Sequence, residues 1–222
     1  MPEILDLPSV RVTHQTVFLR RICRSAGRSL IGIPQRVGAG LSQWEVEIGI
    51  GQDYDAARVR AFEAFVSRLD CTTIVRMAIF DAWRYGAARS PAQQPFSDGT
   101  WFSDGTGFAL PFVAPLEVTT AAAAGENTLW VDLTDPVIPP LESGDYFSVD
   151  GFLYQVTGRT GAGWVKFAPR ARKAIPVGTI LQTDPPVFYG YPTGDDFGSR
   201  GRGGPLSLAP EISLTFTEAF DR

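Results

Sequence analysis

The sequence has very little cysteine and histidine, and this scarcity excludes several kinds of functional site. Among its 222 residues are two cysteines, Cys23 and Cys71, and one histidine, His14. Two thiols rule out a disulfide framework, and without a CxxC pair or nearby histidines they make a poor zinc site. We therefore interpret both thiols as small buried hydrophobic side chains. His14 lies in a strand-like segment, which favours a structural role over a place in a catalytic triad.

The sequence also lacks a long apolar run and an excess of basic residues. No segment has the roughly 20 consecutive apolar residues that a membrane-spanning helix needs, and the first residues lack the basic and apolar parts of a secretory signal. The formal net charge is -4, and only two of the 20 basic residues are lysines, Lys166 and Lys173. These features predict a protein without membrane insertion and without stable nucleic-acid binding. The arginine bias suits protein interfaces, because guanidinium groups make planar, bidentate contacts.

Catalytic and cofactor motifs are scarce as well. The Asp-Gly-Thr triplets at Asp98 and Asp104 reverse the order found in aspartic proteases and stand only six residues apart. They supply too few oxygen ligands for calcium. The glycine-rich stretches that begin at Gly158 and Gly198 are followed by no helical pattern, so neither resembles a phosphate-binding loop. We therefore predict no catalytic residue, no metal and no cofactor, and we interpret these motifs as turns and loops.

The first half of the sequence contains the alternation typical of β-strands and one helical segment. Residues 10 to 19 are rich in β-branched side chains, and residues 44 to 50 alternate strictly between apolar and polar or small residues. Asp53 is the predicted N-cap of a helix, with Asp55 in its first turn. The apolar stripe of this helix consists of Val59, Phe62, Val66 and Leu69. Residues 72 to 80 are again strand-like.

Residues 113 to 186 change to short strand-like segments at regular spacing, which is typical of a small β-barrel. The predicted strands are residues 116–119, 128–133, 145–149, 152–157, 164–168 and 179–183. The turn at Asp150 and Gly151 is the strongest local signal, because Asp-Gly favours a two-residue hairpin turn. The predicted cross-strand pairs are Val149 with Phe152, Phe147 with Tyr154, and Asp145 with Val156. Five large side chains would then share one face.

The pattern of the last part of the chain predicts strands that join the sheet of the first region. Residues 187 to 191 are a short strand candidate, and residues 212 to 217 alternate between apolar and polar side chains. A terminal strand needs a sheet to join, and the first region is its natural host. The two predicted domains are a β domain of residues 1–112 and 187–222 and an inserted barrel of residues 113–186.

Aromatic and arginine side chains in aperiodic segments are the candidate contacts with other subunits or partners. Residues 81 to 111 lack a sustained period and include a tandem Phe-Ser-Asp-Gly-Thr repeat. A loop this long is usually functional or disordered, and its aromatic residues favour order through packing. Arginines cluster between residues 20 and 28 and in a glycine-rich loop after residue 195, where a solvated surface is the default interpretation and a contact the alternative. The candidate contacts are Trp83, Tyr85, Trp101, Phe102, Arg20, Arg24, Arg200 and Arg202.

The order of these segments resembles that of the distal tail proteins of long-tailed phages and gene transfer agents. The shared layout is an N-terminal strand pair, a helix at residues 54–69, a strand, a long loop, an inserted barrel and a closing strand ending Ser-Leu-Thr-Phe-Thr-Glu-Ala-Phe. Within the insertion, the run that begins at Ser143, the segment Phe167-Ala-Pro-Arg-Ala-Arg and the pair Gly178-Thr are similar to a pattern common in phage tail proteins. The resemblance covers most of the chain.

This resemblance implies a tail-tube-like β-sandwich with one flanking α-helix, six copies of which close into a ring that continues the tail tube. The inserted barrel would project outward, where it strengthens the ring or holds fibres. The implied partners are further copies of the chain, the tail tube protein, the hub or baseplate protein and tail fibres. The implied location is the tail tip of the virion, after synthesis in the host cytoplasm.

Two alternatives stay open from the sequence. Trp83, Tyr85 and Trp101 stand near aspartates and favour a carbohydrate-binding β-sandwich module, since such rings stack on sugars. The other alternative is a different tail-tip or connector component. In each case the expected protein is β-rich and not an enzyme.

Overall fold

A computed structural model has the mainly β architecture that the sequence predicts. It describes residues 2–28, 34–51, 53, 55–80, 93–94, 98, 100, 102–103, 108–109, 116–132, 141–161, 163–194 and 212–221. Within these residues there is one helix, and about half of the residues lie in strands. The prediction of a mainly β fold is therefore confirmed.

The chain divides into two compact units, and the first unit combines residues from both ends of the chain. It contains Met1–Met77 and Phe188–Arg222, whereas the second unit contains Ala78–Val187. The predicted boundary after residue 112 lies outside the described residues. The predicted domain bounds therefore stay a prediction.

The described strands lie in sheets of six, five and two strands. The elements in chain order are β1 (Ile4–Asp6), β2 (Val12–Arg28), β3 (Pro34–Ile50), α1 (Ala56–Arg68), β4 (Ile74–Ala78), β5 (Gln93–Gln94), β6 (Phe108–Ala109), β7 (Val118–Thr120), β8 (Thr128–Val131), β9 (Tyr146–Val149), β10 (Phe152–Thr160), β11 (Trp164–Ala168), β12 (Val187–Pro192) and β13 (Ile212–Glu218). The short strands β5 and β6 pair with each other.

The six-stranded sheet has the order β1-β4-β12-β13-β3-β2. Its β1–β4 pair is parallel, while the β12–β13, β13–β3 and β3–β2 pairs are antiparallel. Strand β13 lies between β3 and β12, so the terminal strand joins the sheet formed by the first region, as predicted.

One face of this sheet is buried through the alternation that the sequence predicts. Trp44, Val46 and Ile48 have relative exposures of 1%, 0% and 0%, whereas the residues between them are half-buried. Leu214 lies directly opposite Ile48, and Phe216 lies opposite Val46. Because residues opposite each other share a face, these side chains form the buried side of the sheet.

The helix α1 begins later than predicted, with Asp55 rather than Asp53 as its N-cap. The Asp55 Oδ1 atom accepts a hydrogen bond from the Ala57 amide at 2.9 Å, and this bond lowers the pKa of the Asp55 carboxyl. Asp53 accepts a bond from the Asp55 amide at 3.0 Å. Each aspartate therefore accepts a hydrogen bond from the amide two residues later, and the helix begins after the second aspartate, Asp55.

The predicted apolar stripe of α1 is only partly buried. Phe62 and Leu69 are buried, but Val59 and Val66 are half-buried. Phe65, which the stripe omits, is buried and stacks against Phe62 with ring centroids 6.0 Å apart. The buried face of the helix is therefore centred on its two phenylalanines.

The second unit contains the antiparallel sheet β7-β8-β11-β10-β9. Five of its six predicted strands are present, one with the predicted bounds of residues 164–168 and four with shifted bounds. The predicted strand at residues 179–183 is wrong, since this segment makes isolated bridges. Ile180 bridges to Glu117, and Gln182 bridges to Ser148. The two partners belong to different chain segments, so no ladder continues on either side.

The predicted hairpin at Asp150 and Gly151 is confirmed in register. Val149 pairs with Phe152 and Phe147 pairs with Tyr154, and the Val156 amide donates to the Asp145 carbonyl at 2.8 Å. Both turn residues have positive φ, 47° and 74°, as a type I′ turn requires. The five large side chains are all buried in one cluster.

Candidate assembly surface

Strands β2 and β3 form a long hairpin, and one end of this hairpin extends beyond the residues that pair with β13. Strands β2 and β3 each have 17 residues and pair from Val12 with Ile50 to Arg28 with Pro34. Strand β13 pairs with β3 only along residues 45 to 50. We call residues 20–28 and 34–43 the hairpin arm. Among the described residues, its two strands pair with each other and with no third strand.

A buried glutamate marks the point where the arm leaves the sheet. Glu218 is the last residue of β13 and is 3% exposed. Its Oε2 atom accepts a hydrogen bond from the Trp44 amide at 3.1 Å, and its carbonyl oxygen accepts one from Gln43 Nε2 at 3.2 Å. These side-chain bonds replace the next rung of the β13–β3 ladder, so main-chain pairing between these strands ends at the base of the arm.

The arm also contains two irregularities of register. Its pairing shifts between Arg21 and Cys23 and again between Ser25 and Gly27. Such bulges increase local twist and bend a strand. Because β2 is the last strand in the sheet order, its outer edge faces no other strand within the described residues. Long open edges of this kind are templates for pairing with another chain.

The arm has one sign of charge. Residues 20 to 43 include five arginines and no acidic residue. The rest of the chain therefore carries a net charge of -9, since the total of -4 includes these five positive charges. Opposite net charges of this kind favour contact between a basic segment and an acidic surface.

Arg20 is the predicted contact residue whose side chain is described at the base of the arm. Its guanidinium makes an ion pair of 2.6 Å with Glu45, and it lies over the Phe18 ring at 5.9 Å from the centroid. The Arg20 side chain is still 63% exposed. Phe18 is 36% exposed, so a charged group and an apolar ring lie side by side on the outer strand. Arginine and aromatic side chains are common in protein interfaces, so this pair is compatible with a contact as well as with exposure to water.

The other predicted contact residues are not brought together by the described structure. Arg24 lies in the arm, where its backbone pairs with Val37, and Phe102 is 39% exposed in the second unit. The remaining predicted contacts lie outside the described residues: Trp83, Tyr85, Trp101, Arg200 and Arg202.

Two predictions about isolated residues are now resolved. The prediction of two buried thiols is wrong for Cys71, which is exposed in the turn between α1 and β4. The Cys23 side chain lies outside the described structure. His14 is exposed, and its ring covers Gly49 so closely that an added Cβ there would lie 2.1 Å from the imidazole. A packing role for His14 against the strand β3 follows.

The described residues offer no constellation for metal chemistry. Within them, no group of three or more histidine, cysteine, aspartate or glutamate side chains is placed to hold a metal ion. Over the same residues, no helix combines the length and the apolar character needed to cross a membrane.

Comparison with known proteins assigns no family to the chain. No protein-family model matches it, and no curated protein shows a significant match. A functional proposal therefore depends on the geometry of the hairpin arm and on the resemblance in segment order.

Proposed function

We propose that this protein is a structural component of a phage-type tail that assembles into a ring at the distal end of the tail tube. There it connects the tube to the hub or baseplate and to fibres. The observation that carries this proposal is the hairpin arm. Its two strands continue well past β13, and beyond that point they pair only with each other among the described residues.

The arm supports assembly because a two-stranded ribbon is marginally stable in water without further packing. Strand addition from a neighbouring copy would bond the open edge of β2 and cover the ribbon. Head-to-tail contacts of this type close into a ring when the rotation between neighbouring copies divides a full turn without a shift along the axis, and closure pairs the open edges. Six copies is the number that the resemblance implies.

The charge distribution supports the same arrangement. Residues 20 to 43 carry five arginines and the rest of the chain has a net charge of -9, so net charge favours contact between the arm and another copy. The acidic remainder also suits a channel through which DNA slides without binding.

We further propose that the first unit is a tail-tube-like β-sandwich and the second an inserted small β-barrel. The second part is supported by the bridges of the segment 175–182, which reach both edges of the five-stranded sheet. Glu117 beside β7 pairs with Ile180, and Ser148 of β9 pairs with Gln182. A segment bonded to both edges of one sheet is a step toward barrel closure.

The assembly is tested by measuring the mass of the full chain by light scattering over a range of concentrations, followed by negative-stain imaging. We expect rings of about six copies with an open centre, alone or on contact with tube or hub protein, and weaker assembly at high salt. A monomer at every concentration that also binds neither partner contradicts the proposal and favours a different tail-tip component or a binding module.

A variant with a shortened hairpin arm tests whether the arm is the assembly surface. Cys23 and Gly38 are register partners, so an Asn-Gly turn can join them and remove residues 24 to 37. We expect the variant to keep the unfolding transitions of both units but to lose ring assembly. The matched control is Val177→Ala, a truncation of a side chain that is 61% exposed in the second unit. Rings formed equally well by the shortened variant would rule out the arm as the assembly surface.

A further inference from the structure

A pair of tryptophans lies on the solvent side of the five-stranded sheet. Trp130 of β8 and Trp164 of β11 are directly opposite each other, with ring centroids 5.7 Å apart and an interplanar angle of 69°. Their strand neighbours Leu129, Val131 and Val165 are all fully buried. Trp164 is 38% exposed and Trp130 is half-buried, so the pair is additional to the core and not part of it.

The position of this tryptophan pair is fixed by the turn before β11. Gly163 has a φ of +96°, and a Cβ at this position would lie 2.5 Å from the Val131 carbonyl oxygen and 3.0 Å from Trp130 Nε1. The Val131 amide also donates to the Gly163 carbonyl at 3.0 Å. The turn therefore packs tightly against the strand that carries Trp130. Trp164 follows immediately, so its ring is held before any ligand arrives.

The surroundings of the tryptophan pair carry hydroxyl groups and little charge. Thr120 lies directly opposite Trp130, and Thr160 lies directly opposite Trp164, and both threonines are exposed. Lys166, two residues after Trp164, adds one positive charge, and exposed Asp132, two residues after Trp130, adds one negative charge. An apolar protein interface would continue in aromatic and aliphatic side chains, and a nucleic-acid site would have a basic patch. Exposed indole beside neutral hydroxyls instead matches a ligand with both apolar CH faces and hydroxyl groups.

We propose that the Trp130–Trp164 pair binds a neutral oligosaccharide. One sugar ring lies against the exposed indole of Trp164, and the hydroxyls of Thr120 and Thr160 bond to the sugar hydroxyls beside it. This site belongs to the second unit and does not depend on the proposed ring assembly. Its residues differ from Trp83, Tyr85 and Trp101, which the sequence favoured for carbohydrate.

The test titrates the full chain with neutral oligosaccharides of glucose, galactose, mannose and N-acetylglucosamine, followed by tryptophan fluorescence and calorimetry. We expect saturable binding of at least one of them, with a change in tryptophan emission. Trp164→Ala should weaken this binding by at least about tenfold, as for aromatic anchors at other binding sites, and Trp164→Tyr should retain part of it.

Val177→Ala is the control, since Val177 is an apolar side chain of the same unit, is 61% exposed and is no member of the Trp130–Trp164 pair. We expect this variant to bind as the unaltered protein does. Near-ultraviolet circular dichroism verifies that each variant is folded. Three results would overturn the proposal: no binding of any of these sugars, equal binding by folded Trp164→Ala, or a loss of self-association in Trp164→Ala that identifies the pair as a contact between copies.

Discussion

The hairpin β9–β10 is short and lies over a buried aromatic cluster, whereas the hairpin β2–β3 continues as an arm beyond its sheet. In β9–β10, Phe147 and Tyr154 stack at 5.4 Å and both contact the Phe167 ring from β11. In the hairpin arm, the described stabilisation is the main-chain ladder between two strands. The comparison teaches that one hairpin is specified by its own side chains, while we propose that the other is completed by the copy that it joins.

The largest expected effect comes from breaking the compact hairpin. Phe147 is fully buried, so Phe147→Ala removes its contacts with two rings and leaves a cavity. We expect the free energy of unfolding of the second unit to fall by about 3–5 kcal/mol, measured by chemical denaturation. The shortened-arm variant should change the unfolding of the first unit far less. Comparable losses in both variants would contradict the contrast between the hairpins.

The second effect concerns the turn that leads into β11. Gly163→Ala places a Cβ 2.5 Å from the Val131 carbonyl oxygen at a φ of +96°. We expect a loss of about 1–3 kcal/mol in the stability of the second unit, measured by thermal unfolding. Gly161→Ala is the matched control, because nothing lies within 4 Å of a Cβ there. If both substitutions are equally harmless, the turn does not fix the Trp130–Trp164 pair.

A smaller effect distinguishes the two aspartates before the helix. Asp55→Ala removes the hydrogen bond to the Ala57 amide and should lower the stability of the first unit by about 1 kcal/mol. Asp53→Ala leaves that bond in place and should cost less. A larger loss of stability for Asp53→Ala than for Asp55→Ala would show that Asp53 is the N-cap, as the sequence predicts.

The smallest effect is a dependence on alkaline pH at the edge of the first unit. The Tyr191 hydroxyl donates to Asp221 Oδ1 at 2.6 Å, and this bond raises the pKa of Tyr191 from 10.0 to about 12. The folded pKa is the higher one, so this stabilisation is complete below about pH 10 and is lost as the pH rises through about 12. Tyr191→Phe should remove that difference in stability. An unchanged pH profile would show that the bond contributes nothing.

The elements that were predicted correctly are those in which side-chain period and burial agree. Residues 44 to 50 alternate because one face of β3 is buried, and the turn at Asp150 fixes the register of β9–β10 locally. The start of the helix was missed because two aspartates, each able to hold the amide two residues on, stand close together. A sequence pattern does not decide which of the two bonds begins the helix.

The candidate surfaces were predicted less well. The strand segments at residues 10–19 and 44–50 were found, but the hairpin arm between them has arginine, serine and glycine instead of apolar alternation. Without apolar alternation, the sequence of this segment has no pattern that predicts a strand or its register. For Trp130 and Trp164 the signal was present, because buried Leu129, Val131 and Val165 place both indoles on the opposite face.

The position of β13 between β3 and β12 has a consequence for how the protein is made. The second unit, Ala78–Val187, is continuous and can fold as soon as it leaves the ribosome. The six-stranded sheet is incomplete until residues 212 to 218 are synthesised, so β3 lacks its neighbour β13 during translation. During that interval its open edge is exposed in the nascent chain, and premature association between growing chains is a hazard that chaperones would limit.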